Sequence, residues 1–211
     1  MEGSQAYPVT LSIDYPEKER DRLTVLFRMF TIIPILILLG LLMGNGNNTT
    51  YDDEGTRTVA YGVAFVVAPT VLMILIRQKY PRWWFDWNVA LTNFTNRVSA
   101  YGLLLRDEYP STDEEQAVHI SIPYPNVAQE LNRWLPLVKW LLALPHWIVL
   151  AFLWIGVMAA TIVAWFIILF TGVYPRGLFD FVVGVQRWGL RVFAYAVLMV
   201  TDLYPPFSLS A

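Results

Sequence analysis

The stretch LTVLFRMFTIIPILILLGLLM (Leu23–Met43) carries a single charge, Arg28, and decides the class of this chain. It matches the about 20 apolar residues that a helix needs to cross roughly 30 Å of bilayer hydrocarbon. Composition points the same way: 56% of the 211 residues are hydrophobic, 15% are charged, and the mean hydropathy is +0.45. A soluble chain is nearer 45–50% apolar and about 25% charged. The missing charge is missing in particular segments, as bilayer-crossing helices require. A formal net charge of −2 offers no basic surface to nucleic acid, and the absence of Cys excludes disulfides, thiolate chemistry and Cys-ligated metal. The polar leader ahead of Leu23, with a charge cluster at 18–22, does not resemble a signal peptide.

Two further apolar stretches follow. Val59–Ile76 is uncharged, and Trp134–Phe170 is interrupted only by Lys139 and His146. As one helix the latter would be about 55 Å long, too long for a single crossing. It therefore reads as two spans, Trp134–Leu153 and Trp154–Phe170, with a tight turn near Trp154–Gly156. Between the first two spans lies Gly44–Arg57, a polar loop with an acidic Asp52-Asp53-Glu54 run.

The chain also repeats itself. VTLSIDYP (Val9–Pro16) matches VHISIPYP (Val118–Pro125), and at an offset of 111 residues Arg22, Arg28 and Pro34 match Arg133, Lys139 and Pro145. At an offset of 94, YPRWWFDW (Tyr80–Trp87) matches YPRGLFDF (Tyr174–Phe181), Arg97 matches Arg191, and Ala100-Tyr101 matches Ala194-Tyr195. DEYP (Asp107–Pro110) then matches DLYP (Asp202–Pro205). The offset falls where the polar loop stands in the first half, as a deletion there would produce. The expected architecture is an all-α integral membrane protein of two tandem two-span repeats, residues 1–110 and 111–211. The spans are at about 23–43, 59–76, 134–153 and 154–170.

Each pair of spans is followed by an amphipathic segment, about 82–106 and 176–200. Trp84, Trp87, Leu91, Phe94, Val98 and Tyr101 form one apolar stripe, and Phe181, Val185, Trp188, Val192 and Tyr195 form its counterpart. Asp86, Asn93 and Arg97, and Asp180, Arg187 and Arg191, make polar stripes that would be costly in hydrocarbon. Helices of this kind are expected in the interfacial plane. Lys and Arg concentrate outside the Gly44–Arg57 loop, which places that loop outside a cell membrane and both termini in the cytoplasm. The alternating Val9–Asp14 and Val118–Ile122 segments read as short strands before each repeat, pairing with each other over the surface helices.

The second half, with RWLPLVKWLLALPHWIVL (Arg133–Leu150), YPRGLFDF and the closing DLYPPFSL (Asp202–Leu209), is similar to a prokaryotic membrane family, the domain-of-unknown-function 4389 family. The first copy resembles it more weakly: Trp83-Trp84 stands for Gly177-Leu178, and a long loop is inserted. The resemblance implies architecture and membrane location, and it brings no reaction and no catalytic residues.

No catalytic motif, cofactor site or metal site is legible. His119 occupies a polar position of its strand. His146, one residue after Pro145, is ionisable inside a span, and a neutral imidazole there has a proline-freed carbonyl to donate to. Arg28 and Lys139, at matched positions, read as side chains snorkelling to headgroups or attracting anions. Asp86 and Arg97 lie three turns apart on one face, as do Asp180 and Arg191. A two-fold axis between the copies would therefore pair Asp86 with Arg191 and Asp180 with Arg97. The function this implies is a non-enzymatic scaffold or accessory subunit whose partners are the lipid bilayer and a membrane protein. The alternative is a small transporter or channel acting as a homo-oligomer. A lipid-modifying enzyme would have only Asp86, Asp180 and their neighbouring Arg to work with.

Overall fold

The structure is a computed structural model of the chain and describes residues 7–17, 20–43, 47–52, 55–60 and 64–210. Its first strand, β1 (Thr10–Ile13), pairs antiparallel with a distant one, β4 (Val118–Ser121), so that Thr10 faces Ser121 and Ile13 faces Val118. The two leaders thus form one ribbon, as their alternation implies. Leu11 and Ile13 point into the protein while Thr10 and Ser12 face out.

The ribbon lies across two helices, β1 on α7 (Arg176–Phe193) and β4 on α3 (Arg82–Gly102). Each of these helices begins just after a YP pair, whose Pro fixes an extended residue before the first turn. α7 runs on into a π-helical turn, Ala194–Leu198, that ends at Met199 in the left-handed region (φ 57°). The same ending occurs at Gln78 (φ 46°), after α2 (Ala64–Leu72) and its π-helical turn Met73–Arg77.

Beneath this layer lie the long apolar helices. α1 (Arg22–Leu42) is capped by Asp21, whose carboxylate accepts from the Leu23 amide at 3.0 Å. It packs on α3 through Ile35 against Phe94 and Val98. After the short α4 (Val127–Glu130), α5 (Pro136–Leu142) leads through Ala143 into α6 (Leu144–Thr171), which closes on Gly172 at φ 76°. α6 runs along α7, with the ring of Phe181 close over Gly156. Its C-terminal end meets the start of α1, where the Trp165 indole donates to the Val25 carbonyl at 3.2 Å and the Arg20 amide to Gly172 at 2.8 Å.

Three expectations need correction. The turn near Trp154–Gly156 is absent, because α6 is one 28-residue helix that passes straight through it. One Gly among Leu153, Trp154 and Ile155 is too weak a breaker to end a helix that apolar neighbours support. The bend falls instead at Ala143 and Pro145, where the helix lacks an amide donor. Second, Val59–Ile76 is not helical throughout: Val59 and Ala60 belong to a strand, and the described helical part runs from Ala64 to Arg77, about 21 Å. Third, much of the Gly44–Arg57 loop is a hairpin of β2 (Asn47–Asp52) and β3 (Gly55–Ala60), built from Thr, Tyr and Val. The acidic residues Asp53 and Glu54 lie outside the described residues. Among the described residues three helices are long and apolar enough to cross a membrane, against four expected spans: Arg22–Leu42, Leu144–Thr171 and Arg176–Leu198. The last is largely enclosed by the rest of the protein.

The ribbon register generates a direct test in this Cys-free chain. Ser12→Cys with His119→Cys places two thiols on directly opposed residues, close enough to bridge. Spontaneous disulfide formation is expected on non-reducing gels, with Thr10→Cys/His119→Cys, two positions out of register, bridging far less.

Candidate functional site

Arg28 and Lys139 are where the structure departs most from a snorkelling picture. They are 3% and 0% exposed, so neither reaches toward headgroups. Arg28 pairs with Asp107, donates to the carbonyls of Tyr101 and Arg106 at 2.8 and 2.7 Å, and lies 4.3 Å from the Tyr101 ring centroid. Lys139 pairs with Asp202 at 2.7 Å, donates to the Thr201 carbonyl at 2.7 Å, and sits 5.1 Å from the ring of Tyr195. Every partner in one cluster is the sequence match of a partner in the other. Arg20 extends the first cluster: it contacts Asp107 at 3.3 Å and donates to the Leu104 and Leu105 carbonyls. Burial pulls its guanidinium down to about 10, against the opposing pull of Asp107, so it stays charged at neutral pH. The two aspartates stand in the DEYP and DLYP motifs. Their recurrence opposite a matched cation was the signal in the sequence that could have assigned them.

The expected crossed pairs do not form. Asp86 is exposed and meets only Arg82, one turn earlier on its own helix, at 3.5 Å. Asp180 is exposed and has no ion pair among the described residues. Arg97 donates to the Ser111 carbonyl at 2.9 Å, and Arg191 donates to Ser210 at 2.8 Å. Both arginines turn to backbone carbonyls of the segments after their helices, which satisfy a guanidinium without any contact between copies. Arg187 does likewise, to Leu11 at 2.9 Å and Leu209 at 3.1 Å. Gly184 permits this close wrapping, since a Cβ there would lie 2.9 Å from Leu209.

His146 is fully buried in an aromatic cage. Phe207 stacks on it at 3.9 Å between centroids, Tyr204 and Trp188 flank it, and the Trp188 indole donates to its Nδ1 at 3.1 Å. The imidazole donates to no carbonyl; the Tyr204 hydroxyl donates to the Leu142 carbonyl beside the break at Ala143, at 3.1 Å. With Nδ1 accepting, the neutral ring carries its proton on Nε2, which has no partner. His119 is exposed beside Asp14, at 3.2 Å.

A cavity of about 470 Å³ lies between α3, α6 and α7. One wall is polar: Asn88, Thr92, Thr95, Asn96 and Ser99 recur at helical spacing along α3. Gln186 faces them from α7, and Trp147, Leu150 and Trp154 of α6 form an apolar side. Gln186 is 4% exposed, and neither its amide nitrogen nor its oxygen has a hydrogen-bond partner. Asn88 donates to the Trp84 carbonyl at 2.8 Å, and its Oδ1 has no hydrogen-bond partner. Sequence reasoning followed the charged stripe of α3 and passed over this neutral one, although its i, i+4, i+7, i+8, i+11 spacing was there to read. Among the described residues no group of three or more His, Asp and Glu side chains is placed to hold a metal.

The clusters yield a stability prediction. Asp202→Asn leaves the Lys139 ammonium buried without its counter-charge and should destabilise the protein by about 3 kcal/mol. Adding Lys139→Met should restore part of that loss, giving a strongly non-additive cycle in detergent unfolding. Asp107→Asn should act in the same direction through Arg28 and Arg20.

Comparison with known proteins adds a family to this geometry. No curated protein and no solved structure matches the chain. Residues 134–208, from just before α5 to the C-terminal tail, match the family model described as Domain of unknown function (DUF4389), which supports that family for the stretch that holds Lys139, Asp202, His146 and Gln186.

Proposed function

We propose that the chain is a multi-pass membrane module with no chemistry of its own, serving as a scaffold or accessory subunit of a membrane complex. The observation that carries this is the state of α1. Of its residues only Val25, Arg28 and Ile35 are buried, while Phe27, Met29, Phe30, Ile37 and Leu41 stand 53–78% exposed around the helix. A helix apolar all round and packed along one narrow stripe is built for lipid and for a partner helix. Arg28 and Lys139 are taken up by structural pairing, and His146 is enclosed by aromatic rings with no carboxylate beside it, which favours a structural role for all three.

On this reading the chain is two copies of one unit, with α3 and α7 at the interface under the shared ribbon. The matched clusters at Arg28 and Lys139 support it. So does the exchange in which the start of α1 meets the end of α6 while Arg133, just before α5, donates to Leu75 at the end of the α2 region. Arg187 holds both the leader strand and the C-terminal tail, which favours both termini on one face, the cytoplasmic one by Lys and Arg placement. The hairpin region lies outside. A small transporter acting as a homo-oligomer is the second reading, and the polar α3 wall of the cavity favours it.

Two measurements test this. Single Cys substitutions should be labelled by an impermeant reagent from outside at Tyr51 and only after permeabilisation at Ser12 and Ser208; outside labelling at 12 or 208 would refute the topology. Gentle copurification from native membranes should recover a stable heteromeric partner. Recovery of the homo-oligomer alone would favour transport.

A further inference from the structure

We infer that the cavity between α3, α6 and α7 is a binding site for an uncharged, hydroxyl-headed amphiphile, its head at Gln186 and its chain along α6. This goes beyond the scaffold reading and does not depend on it.

Size and lining agree with a small-molecule site. About 470 Å³ falls within the roughly 300–1,000 Å³ of ligand pockets, which are mostly apolar with a few convergent polar groups. No charged residue lines it, so nothing there would compensate a phosphate or a carboxylate. Gln186 supplies the specific requirement: a buried carboxamide with both ends unpartnered is costly until something satisfies it.

The α3 wall narrows the chemistry further. The Thr92 hydroxyl donates to the Asn88 carbonyl at 2.7 Å, Thr95 to Leu91 at 2.8 Å, and the Asn96 amide nitrogen to Thr92 at 2.8 Å. With those protons committed to their own helix, Thr92 and Thr95 face the cavity as acceptors, while Asn96 keeps one further N–H to donate. Gln186 presents an unpartnered acceptor and an unpartnered donor together, so the head that satisfies it donates to its oxygen and accepts from its nitrogen. A hydroxyl does both, and an ester or ketone does not. Gly189 leaves the space open, since a Cβ there would meet nothing within 4 Å. Trp147 lines the cavity and is 41% exposed, which joins it to the outward apolar face of α6. An acyl chain could enter there from the bilayer.

The test uses the full chain in phosphatidylcholine nanodiscs with three photoreactive probes: a diacylglycerol, a long-chain alcohol and a phosphatidic acid. The hydroxyl-headed probes should label peptides spanning 88–99 and 186–193 at least five-fold more than phosphatidic acid does. Gly189→Phe, which fills the space, and Gln186→Leu, which removes the head contact, should each cut that labelling at least five-fold. Without probe, Gln186→Leu should raise the unfolding midpoint by about 2–4 °C, because an unsatisfied polar group is gone. Stronger labelling by diacylglycerol than by the alcohol would identify a membrane lipid as the source, and the reverse a free alcohol. Labelling that ignores Gly189→Phe, equal labelling by phosphatidic acid, or no labelling above background, the mark of a merely hydrated cavity, would each overturn the assignment.

Discussion

A cation buried inside the first apolar helix of each half, held by an aspartate from the segment after that half's last helix, is the constraint on which the rest depends. In a low-dielectric setting a lone guanidinium or ammonium is strongly unfavourable, so the pair forms or the helix cannot stay where it is. Arg28 and Asp107 are 79 residues apart in the chain and Lys139 and Asp202 are 63 apart, so each pair closes a whole half of the molecule. The accompanying carbonyl acceptors of Tyr101, Arg106 and Thr201 take further donors of the two cations. They also hold the helix ends at α3 and α7 in irregular backbone that would otherwise expose bare carbonyls.

From those anchors the layer above follows. Once the segments after α3 and α7 are tied down, the tail from Asp202 to Ser210 is drawn along α6 and α7. Tyr204 caps the carbonyl at the Pro145 bend, Phe207 covers His146, and Leu209 sits on Gly184. The arginines of α7 then have backbone acceptors within reach and no need of a distant carboxylate. That explains why the crossed pairs do not exist: Arg191 and Arg97 find carbonyls in their own half before any aspartate of the other.

How much could be read beforehand depends on how local the signal was. Period-two alternation over Val9–Asp14 and Val118–Ile122 was enough to predict the strands and their pairing, because alternation encodes which face is buried. The positions of α1, α3 and α7 were legible from caps, YP pairs and apolar periodicity. The turn assigned to Trp154–Gly156 was not a local signal at all; it came from matching the copies and from the length limit of one span. A single Gly156 among apolar neighbours is too weak a breaker to end the helix there. Lys139 and Arg28 were misplaced for a related reason. A charge near a helix end snorkels or pairs depending on a partner more than sixty residues away, and nothing adjacent to either residue distinguishes the two.

The same long-range character accounts for the cavity. α3 and α7 are matched helices on the proposed two-copy reading, yet their facing positions have diverged: Thr92 stands where Gln186 does, Thr95 where Gly189 does, and Asn96 where Leu190 does. Had both helices kept apolar faces, ridges would have packed into grooves and closed the gap, as they do between α1 and α3 at Ile35, Phe94 and Val98. Polar side chains back-bonded to their own helix cannot interdigitate without leaving donors and acceptors unmatched, and Gly189 offers nothing to fill the space. A gap between the two helices is therefore a consequence of those few differences. The buried cations fix the C-terminal ends of α3 and α7, at Tyr101–Asp107 and Thr201–Asp202, and so limit how far the two helices can shift to close it.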